Sequence, residues 1–174
     1  MKRTIIYIFF IILLSGCEKE YNSLSDIQQE VLFQVDYVNA AWGYQHFGSF
    51  IDKTGQVRTY DLPSSWNFPD EDGYISLTDM NENIDQLVDS DCTIEDDVLL
   101  KYFNKLVRAE EGKVTEPTTR GADMGATIYS GFVFDFQRNS YKQVLLRQVG
   151  DMYIENTSRE AEQIYNWLLE LCKN

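Results

Sequence analysis

One histidine is the side chain of this sequence best suited to acid–base chemistry near neutral pH. His46 is the only histidine in the 174 residues, and an imidazole with a pKa of about 6.5 accepts and donates protons in that range. The surrounding strand pattern puts His46 on the same face as Trp42 and Tyr44. It could therefore act as a general base or form a sugar-stacking platform with the two rings. A partly buried histidine packed on a sheet fits the same pattern, and we favour that interpretation. The sequence contains no nucleophile-elbow motif, and we predict no catalytic residue.

Carboxylates are concentrated in the middle of the chain. Between Thr59 and Leu100 there are twelve Asp or Glu residues and no Lys, Arg or His. Clustered like charges repel one another unless calcium or a basic protein partner offsets them. A solvated anionic face over a helical hairpin around residues 76–110 explains the same pattern, and we predict this arrangement rather than a closed metal cage. The twelve acids are Asp61, Asp70, Glu71, Asp72, Asp79, Glu82, Asp85, Asp89, Asp91, Glu95, Asp96 and Asp97.

Residues 70–79 resemble the last ten positions of an EF-hand or dockerin calcium loop. Gly73 would make the sharp turn, but the first ligand position would fall on Phe68, which has no oxygen to offer. Ser76 and Asp79 are equally well explained as the capping residues of a helix. We therefore predict no metal site and no cofactor, and retain these positions only as calcium candidates. The side chains at ligand positions are Asp70, Asp72, Ser76 and Asp79.

Two of the three cysteines lie in the body of the chain. Cys92 and Cys172 are 80 residues apart, and in an oxidising compartment they can form a disulfide bond. A disulfide that closes so long a loop stabilises the folded state by up to about 4.5 kcal/mol in the chain-entropy model. Two small buried thiols are the alternative. The spacing is not that of a thiolate zinc site.

The amino terminus has the pattern of an export signal. Lys2 and Arg3 precede an unbroken apolar run over residues 5–14. As a helix this run would extend about 15 Å, half of the roughly 30 Å hydrocarbon core of a bilayer. A basic start followed by a short apolar run is typical of a cleavable signal peptide.

The end of this segment, Leu14-Ser15-Gly16-Cys17, resembles the lipobox of bacterial lipoproteins. In that family the cysteine sulfur receives a diacylglyceryl group, a peptidase cleaves before the cysteine, and the new amino group is acylated with a fatty acid such as palmitate. The resemblance implies lipidation of Cys17 and attachment to a membrane through that lipid. An ordinary secretory signal cleaved nearby and an uncleaved anchor are the alternatives.

The charge of the chain limits its partners. The net charge is −13, which argues against nucleic-acid binding because phosphate contacts need clustered Lys and Arg. Cleavage before Cys17 would remove two bases and leave 13 basic and 28 acidic residues. An anionic membrane surface would repel such a domain, so the lipid must supply the attachment. Glu18 stands where some bacteria read an aspartate as an inner-membrane signal, and we predict the outer membrane rather than the inner.

The remaining sequence predicts the elements that would position these groups. We expect residues 1–16 to be a cleaved signal peptide, 17–28 a polar tether and 29–174 a single α+β domain. The predicted order is ββααββα, with an antiparallel sheet of about four strands packed with helices. The predicted elements are a strand from Val31, a return strand Val57–Leu62, helices from Leu77 and from after Thr93, strands Ala126–Phe136 and Tyr141–Val149, and a helix after Thr157.

Several local signals refine these elements. A phase flip in the apolar pattern predicts a β-bulge near residues 37–41, and Gly55 should occupy a left-handed turn position. Ser76 with Asp79, and Thr157 with Glu160, should cap helices. Gly112 should end the second helix as a left-handed C-terminal cap, and the strands 126–136 and 141–149 should be covered on both faces.

The loop Arg120–Ala126 could bind a ligand or act as a hinge, because two glycines flank Asp123 there. Ordinary turn chemistry is the interpretation we favour.

Taken together, the sequence predicts a lipid-anchored cell-envelope protein whose domain binds an unidentified ligand rather than transforming one. An acidic inhibitor or immunity-type lipoprotein directed against a cationic hydrolase is the alternative. A small envelope enzyme is a third possibility that we do not favour.

Overall fold

A computed structural model describes residues 20–171 of the chain. The predicted signal peptide, the lipidation site Cys17 and the predicted disulfide partner Cys172 lie outside these residues. No helix within residues 20–171 is both long enough and apolar enough to cross a membrane.

Within the described range, nine strands form one sheet in which every strand pairing is antiparallel. The order across the sheet is β5-β3-β2-β1-β7-β8-β9-β6, and β4 pairs with β8 away from this path. The strands are β1 Val31–Asn39, β2 Gln45–Asp52, β3 Gln56–Asp61, β4 Tyr74–Ser76, β5 Val88–Thr93, β6 Thr118–Thr119, β7 Ala126–Asp135, β8 Ser140–Gly150 and β9 Met152–Glu155. The α-helices are α1 Leu77–Ile84, α2 Asp96–Ala109 and α3 Arg159–Glu170.

The predicted ββααββα fold with about four strands is therefore wrong, because the protein is dominated by its sheet. Two of the missed strands carry little apolar alternation: β5 has the sequence VDSDCT, and β6 has only two residues. They form because backbone groups of neighbouring strands pair with them, and this depends on tertiary context rather than on local side chains. The helix predicted from Leu77 ends at Ile84, and Val88 begins β5.

Side chains cover both faces of the sheet. Helices α2 and α3 pack on one face, where Phe33, Phe103 and Ile164 belong to the same buried cluster. The other face is covered by residues 62–84, which include β4 and α1 and which we call the cover segment. Its Ile75 and Met80 pack on sheet residues that include Phe50, Tyr60, Phe132 and Tyr141.

Strands β7 and β8 contribute to both clusters, as their apolar residues predicted. Val144 and Leu146 lie in the cluster on the helix side, whereas Phe132 and Tyr141 lie under the cover segment. The bounds predicted for these two strands agree with the structure to within one residue at each end.

The bulge predicted near residues 37–41 is wrong. Pairing between β1 and β2 is unbroken from Phe33 to Asn39, and the shift in register lies between Val31 and Phe33. The phase flip marks the end of β1 and the connection to β2 instead. The turn predicted at Gly55 is confirmed, with φ of +82°.

The helix-end predictions have mixed outcomes. Ser76 caps α1 as predicted, because its Oγ accepts a hydrogen bond from the Asp79 N–H. The cap predicted at Thr157 is wrong by one residue, since Ser158 accepts from the Ala161 N–H at the start of α3. Thr157 instead donates its hydroxyl proton to the carbonyl of a loop residue, Lys113.

The left-handed cap predicted at Gly112 is also wrong. Helix α2 ends at Ala109 and is followed by Glu110 in the right-handed helical conformation, and Gly112 is not among the described residues with positive φ. A Cβ atom at Gly112 would lie 2.1 Å from Oδ1 of Asn156. The glycine is needed there for close packing rather than for its backbone angle.

Candidate functional site

Strands β1, β2 and β3 bring a polar cluster together beneath the cover segment. Asp36 and His46 keep only 4% and 0% of their surfaces exposed. His46 Nε2 lies 2.9 Å from Oδ1 of Asp36, and the Tyr60 hydroxyl donates a 2.5 Å hydrogen bond to the same oxygen. The Gln34 side-chain amide completes the cluster by donating to the Tyr60 oxygen over 3.0 Å.

The hydrogen-bond partners determine which groups donate. A carboxylate oxygen accepts, so His46 Nε2 carries the proton that is shared with Asp36. The other ring nitrogen, Nδ1, shares a hydrogen bond of 3.2 Å with the Tyr44 hydroxyl. Both ring nitrogens of His46 are therefore engaged within the protein.

Burial controls the protonation of the cluster. Loss of solvation raises the pKa of Asp36 above its ordinary value, while the hydrogen bond from Tyr60 and the interactions with His46 act in the opposite direction. Burial and the neighbouring Asp36 carboxylate both raise the pKa of Tyr60. Tyr60 therefore keeps its proton at physiological pH and remains a hydrogen-bond donor to Asp36.

Aromatic rings surround His46. The Phe68 ring stacks on the imidazole with a centroid distance of 5.4 Å, and the Trp66 ring meets it edge-on at 5.2 Å. Trp66 also stacks on Tyr60 at 4.1 Å. The predicted proximity of Tyr44 to His46 is confirmed by their hydrogen bond, whereas Trp42 is 81% exposed and has no ring contact within residues 20–171.

A partly enclosed cavity of about 220 Å³ lies between this part of the sheet and the cover segment. Two hydrogen bonds between Asn83 of α1 and the backbone of Asn67 hold the cover segment above the cavity. The Asn83 amide accepts from the Asn67 N–H at 2.9 Å and donates to the Asn67 carbonyl at 2.8 Å. The sheet side is lined by Gln34, Asp36, Phe50, Ile128, Phe132 and Gln143. The cover side is lined by Trp66, Asn67, Phe68, Pro69, Asp70, Ile75, Met80 and Asn83.

A larger and more open cavity of about 860 Å³ lies on the helix side of the sheet, between β5 and the end of α3. Its walls include Cys92, and they extend to Leu171, the last described residue. Cys92 is disulfide-bonded. Its pairing with Cys172 stays a prediction, because Cys172 lies outside the described residues.

The calcium candidates are engaged with the protein's own donors. Oδ1 of Asp70 accepts from the backbone N–H groups of Asp72 and Tyr74, over 3.0 and 2.8 Å. Ser76 caps α1 and donates its hydroxyl proton to Asp79 over 2.8 Å. Across residues 20–171, His, Cys, Asp and Glu side chains form no group of three or more that could hold a metal ion.

Eleven of the twelve clustered acids are exposed, and Asp79 is half-buried. The helical hairpin predicted beneath them is wrong, because β5 separates α1 from α2. Arg58 of β3 offsets one of the charges through a 2.9 Å contact with Asp89.

The loop Arg120–Ala126 has the contacts of a structural turn. Asp123 and Gly125 have positive φ angles of 64° and 70°. The Asp123 carbonyl accepts from the side chain of Asn39, at the end of β1. Oδ1 of Asp151 accepts from the Met124 N–H over 2.8 Å, which ties the loop to the end of β8.

We did not predict from the sequence that Gln34, Asp36 and Tyr60 form a site. One signal was available: Gln34 and Asp36 are two polar residues at alternate positions of a strand that is otherwise mostly apolar. The third member, Tyr60, is 24 residues further along the chain than Asp36 and carries no comparable signal.

Comparison with known proteins gives no relative, since the chain matches no protein-family model, no curated protein and no solved structure. Its function has to be inferred from the chemistry of the site.

Proposed function

We propose that this protein is a lipid-anchored component of the bacterial cell envelope whose domain binds a small ligand in the cavity beside Asp36. The observation that carries the proposal is the bonding of the Asp36 carboxyl group. Oδ1 accepts both hydrogen bonds, from Tyr60 and His46, and no hydrogen bond within residues 20–171 reaches Oδ2. Burying a carboxylate that is only partly bonded costs stability, so an apolar residue would serve a purely structural core better.

The surroundings of Asp36 are those of a binding site. Ligand pockets combine apolar and aromatic walls with a few well-placed polar groups, and this cavity joins Phe50, Trp66 and Phe132 to Asp36 and Gln34. A buried carboxyl group with a raised pKa in such a cavity is a common mark of a functional site.

Binding without a chemical reaction is the activity we propose. His46 is the natural proton carrier of this region, but both of its ring nitrogens are engaged within the protein. It is fully buried and is not part of the cavity wall. A general base needs a free nitrogen within reach of the substrate, and His46 offers none in this arrangement.

The lipobox supports attachment at Cys17, with the outer membrane as the proposed location. The packed part of the domain begins close to that cysteine. The Tyr21 N–H donates to Oδ1 of Asn104 in α2 over 2.8 Å, and the Asn104 amide returns a bond of the same length to the Tyr21 carbonyl. Four residues of extended chain span about 14 Å at most, so we propose that the domain is held close to the lipid surface.

The acidic surface favours a second candidate, an inhibitor or immunity-type lipoprotein that binds a cationic hydrolase. Strand β5 is an edge strand that carries exposed acids and whose Val88 is 67% exposed, and α1 and α2, which precede and follow it in the chain, carry further exposed acids. Affinity for such a partner should fall steeply with salt, because exposed charges are screened. Binding in the partly enclosed cavity should respond much less.

Native mass spectrometry of the lipidated protein, extracted from its own membrane in detergent, tests ligand binding. We expect a small non-covalent mass that is absent from the cavity-filling variant Ile128→Trp. The matched control is Val149→Trp, a substitution on the neighbouring strand at an exposed position outside the cavity. Equal occupancy of both variants, or no added mass in the unmodified protein, would contradict the proposal.

A further inference from the structure

We infer that the ligand of the cavity beside Asp36 is a small organic ammonium ion. This inference rests on the proposed binding function and adds the chemical class of the ligand. Tyr60 gives its only proton to Asp36, so the Tyr60 oxygen can accept but cannot donate. The Gln34 side chain must therefore present its NH₂ group to Tyr60, which leaves Oε1 as its remaining polar atom.

Three side-chain oxygens of the cavity wall have no hydrogen-bond partner within residues 20–171. Gln143 uses Nε2 to bond the Ser130 hydroxyl over 3.3 Å, which leaves its Oε1. Within residues 20–171, no hydrogen bond reaches this atom, Oε1 of Gln34 or Oδ2 of Asp36. Each of these three oxygens keeps some solvent-accessible surface. Gln34, Asp36 and Gln143 all line the cavity, and Gln34 and Asp36 are at most 5% exposed.

The amide donors of the wall are partly in use. The Asn83 amide donates to the Asn67 carbonyl, and the Asn67 amide donates to Asp79 and Glu82. The amides of Gln34 and Gln143 bond Tyr60 and Ser130. Gln34, Gln143 and Asn83 each use one of their two N–H donors, so the wall keeps neutral donors as well as acceptors. The charged groups of the wall, however, are all carboxylates.

Charge and shape indicate the class of ligand. The wall contains the carboxylates of Asp36 and Asp70 and no Lys or Arg. Its four aromatic rings have negative faces that attract cations; they belong to Phe50, Trp66, Phe68 and Phe132. An ammonium group carries a positive charge and up to three donors and has no acceptor that would be left without a partner.

Other ligand classes match less well. A sugar carries no positive charge, so it would leave the buried Asp36 carboxylate without a counter-charge. A divalent metal ion needs about six oxygen ligands, and the described residues form no such acidic group. The volume of about 220 Å³ is below the roughly 300–1,000 Å³ usual for drug-sized ligands, which points to an amine with few carbon atoms.

Titration of the full mature protein, followed by the fluorescence of its tryptophans and by NMR, tests this inference. The probes are propylamine and ethanolamine, both ammonium ions at pH 7, with 1-propanol, propionate and glucose as comparison compounds. We expect saturable binding of the amines only. Glycerophosphoethanolamine in a parallel arm distinguishes a lipid headgroup from a free amine, because a headgroup site would bind it at least as well as ethanolamine.

Variants separate the specific carboxylate from general negative charge. Asp36→Asn should weaken amine binding at least tenfold, since it removes a charge-assisted hydrogen bond. Asp85→Asn removes the same charge from an exposed position after α1 and should leave the affinity unchanged. If Asp36→Asn does not fold, Gln143→Leu provides the second test and should weaken binding several-fold.

The outcomes separate this inference from the function on which it rests. Equal binding of propylamine and 1-propanol, or binding of glucose alone, would overturn the ammonium assignment. So would an unchanged affinity in Asp36→Asn. A third outcome is that no amine binds, but the extracted protein still carries a bound small molecule that the Ile128→Trp variant lacks. In that case the ammonium assignment is wrong and the proposed binding function stands. If neither is found, both fail.

Discussion

Tyr60 reaches Asp36 across an intervening strand. Asp36 of β1 pairs with Gly48 of β2, and Gly48 pairs with Tyr60 of β3, so the three residues form one row across the sheet. The Tyr60 hydroxyl passes over Gly48 to donate its 2.5 Å hydrogen bond. A Cβ atom at Gly48 would lie 2.5 Å from that hydroxyl and 2.2 Å from the Val35 carbonyl oxygen. The missing side chain of Gly48 is what permits the contact.

We expect Gly48→Ala to destabilise the protein by about 1–3 kcal/mol, the usual cost of overpacking a close-packed site. The added methyl group would displace Tyr60 from Asp36, so amine binding should weaken as well. Urea denaturation measures the free energy of unfolding. Gly121→Ala is the control, because its new methyl group would meet only the flexible side chain of Met124. Equal stabilities of the two variants would contradict the role assigned to Gly48.

The raised pKa of Asp36 predicts a dependence of stability on pH. Burial raises its pKa in the folded state above the value of about 3.9 expected in the unfolded chain. Between the two values the folded state binds more protons, so the contribution of Asp36 to stability falls as pH rises through this interval. The Asp36→Asn variant lacks this pH-dependent contribution to stability.

The free energy of unfolding of Asp36→Asn relative to the unmodified protein should therefore rise with pH from about 4 and level off above the folded-state pKa. Urea denaturation at a series of pH values measures the difference between the two proteins, which cancels the contributions of the other acids. A difference that stays constant, or falls, as the pH rises would mean that Asp36 is not destabilised in its charged form.

For the disulfide, we expect neither Cys92 nor Cys172 to react with an alkylating reagent until the mature protein is reduced. Mass spectrometry of the unreduced, alkylated protein identifies any free thiol. Reduction should lower the free energy of unfolding, by up to about 4.5 kcal/mol for a loop of this length. Alkylation of both cysteines before reduction would exclude the pairing, and Cys92→Ser should be insensitive to reductant.

Lipidation of Cys17 predicts that the unmodified protein takes up a palmitate analogue in cells and sediments with membranes. Cys17→Ser should lose both properties, because the thioether cannot form. Cys92→Ser serves as the matched control and should keep the label. Continued labelling of Cys17→Ser at the membrane would show that the lipobox assignment is wrong.

The exposed acids of residues 61–97 should make thermal stability depend on ionic strength rather than on calcium. We expect a modest rise in Tm with salt, equal for sodium chloride and calcium chloride at matched ionic strength, because screening weakens repulsion between exposed charges. A melting series that includes a chelator measures it. A rise at micromolar calcium that disappears in Asp72→Ala would establish a calcium site instead.

Local signals in the sequence were enough for some elements. Strands β7 and β8 and helices α2 and α3 follow from apolar periodicity within ten to fifteen residues, and the Ser76 cap and the Gly55 turn from single residue types at short spacing. The export signal and lipobox are also local patterns, and they remain predictions because they lie outside the described residues. In each of these cases the information is carried by neighbours in the chain.

The rest was decided by contacts between distant segments. Strands β5, β6 and β9 owe their existence to backbone pairing with partners already in the sheet, which does not require a characteristic side-chain pattern. The Asp36 site depends on register, since a shift of one residue between β1, β2 and β3 would turn the side chains to opposite faces. Gly48 could have been read as an ordinary flexible residue. Only the tertiary structure shows that Tyr60 occupies the space that a side chain at Gly48 would fill. That space exists because the strands of the two residues are paired in the sheet.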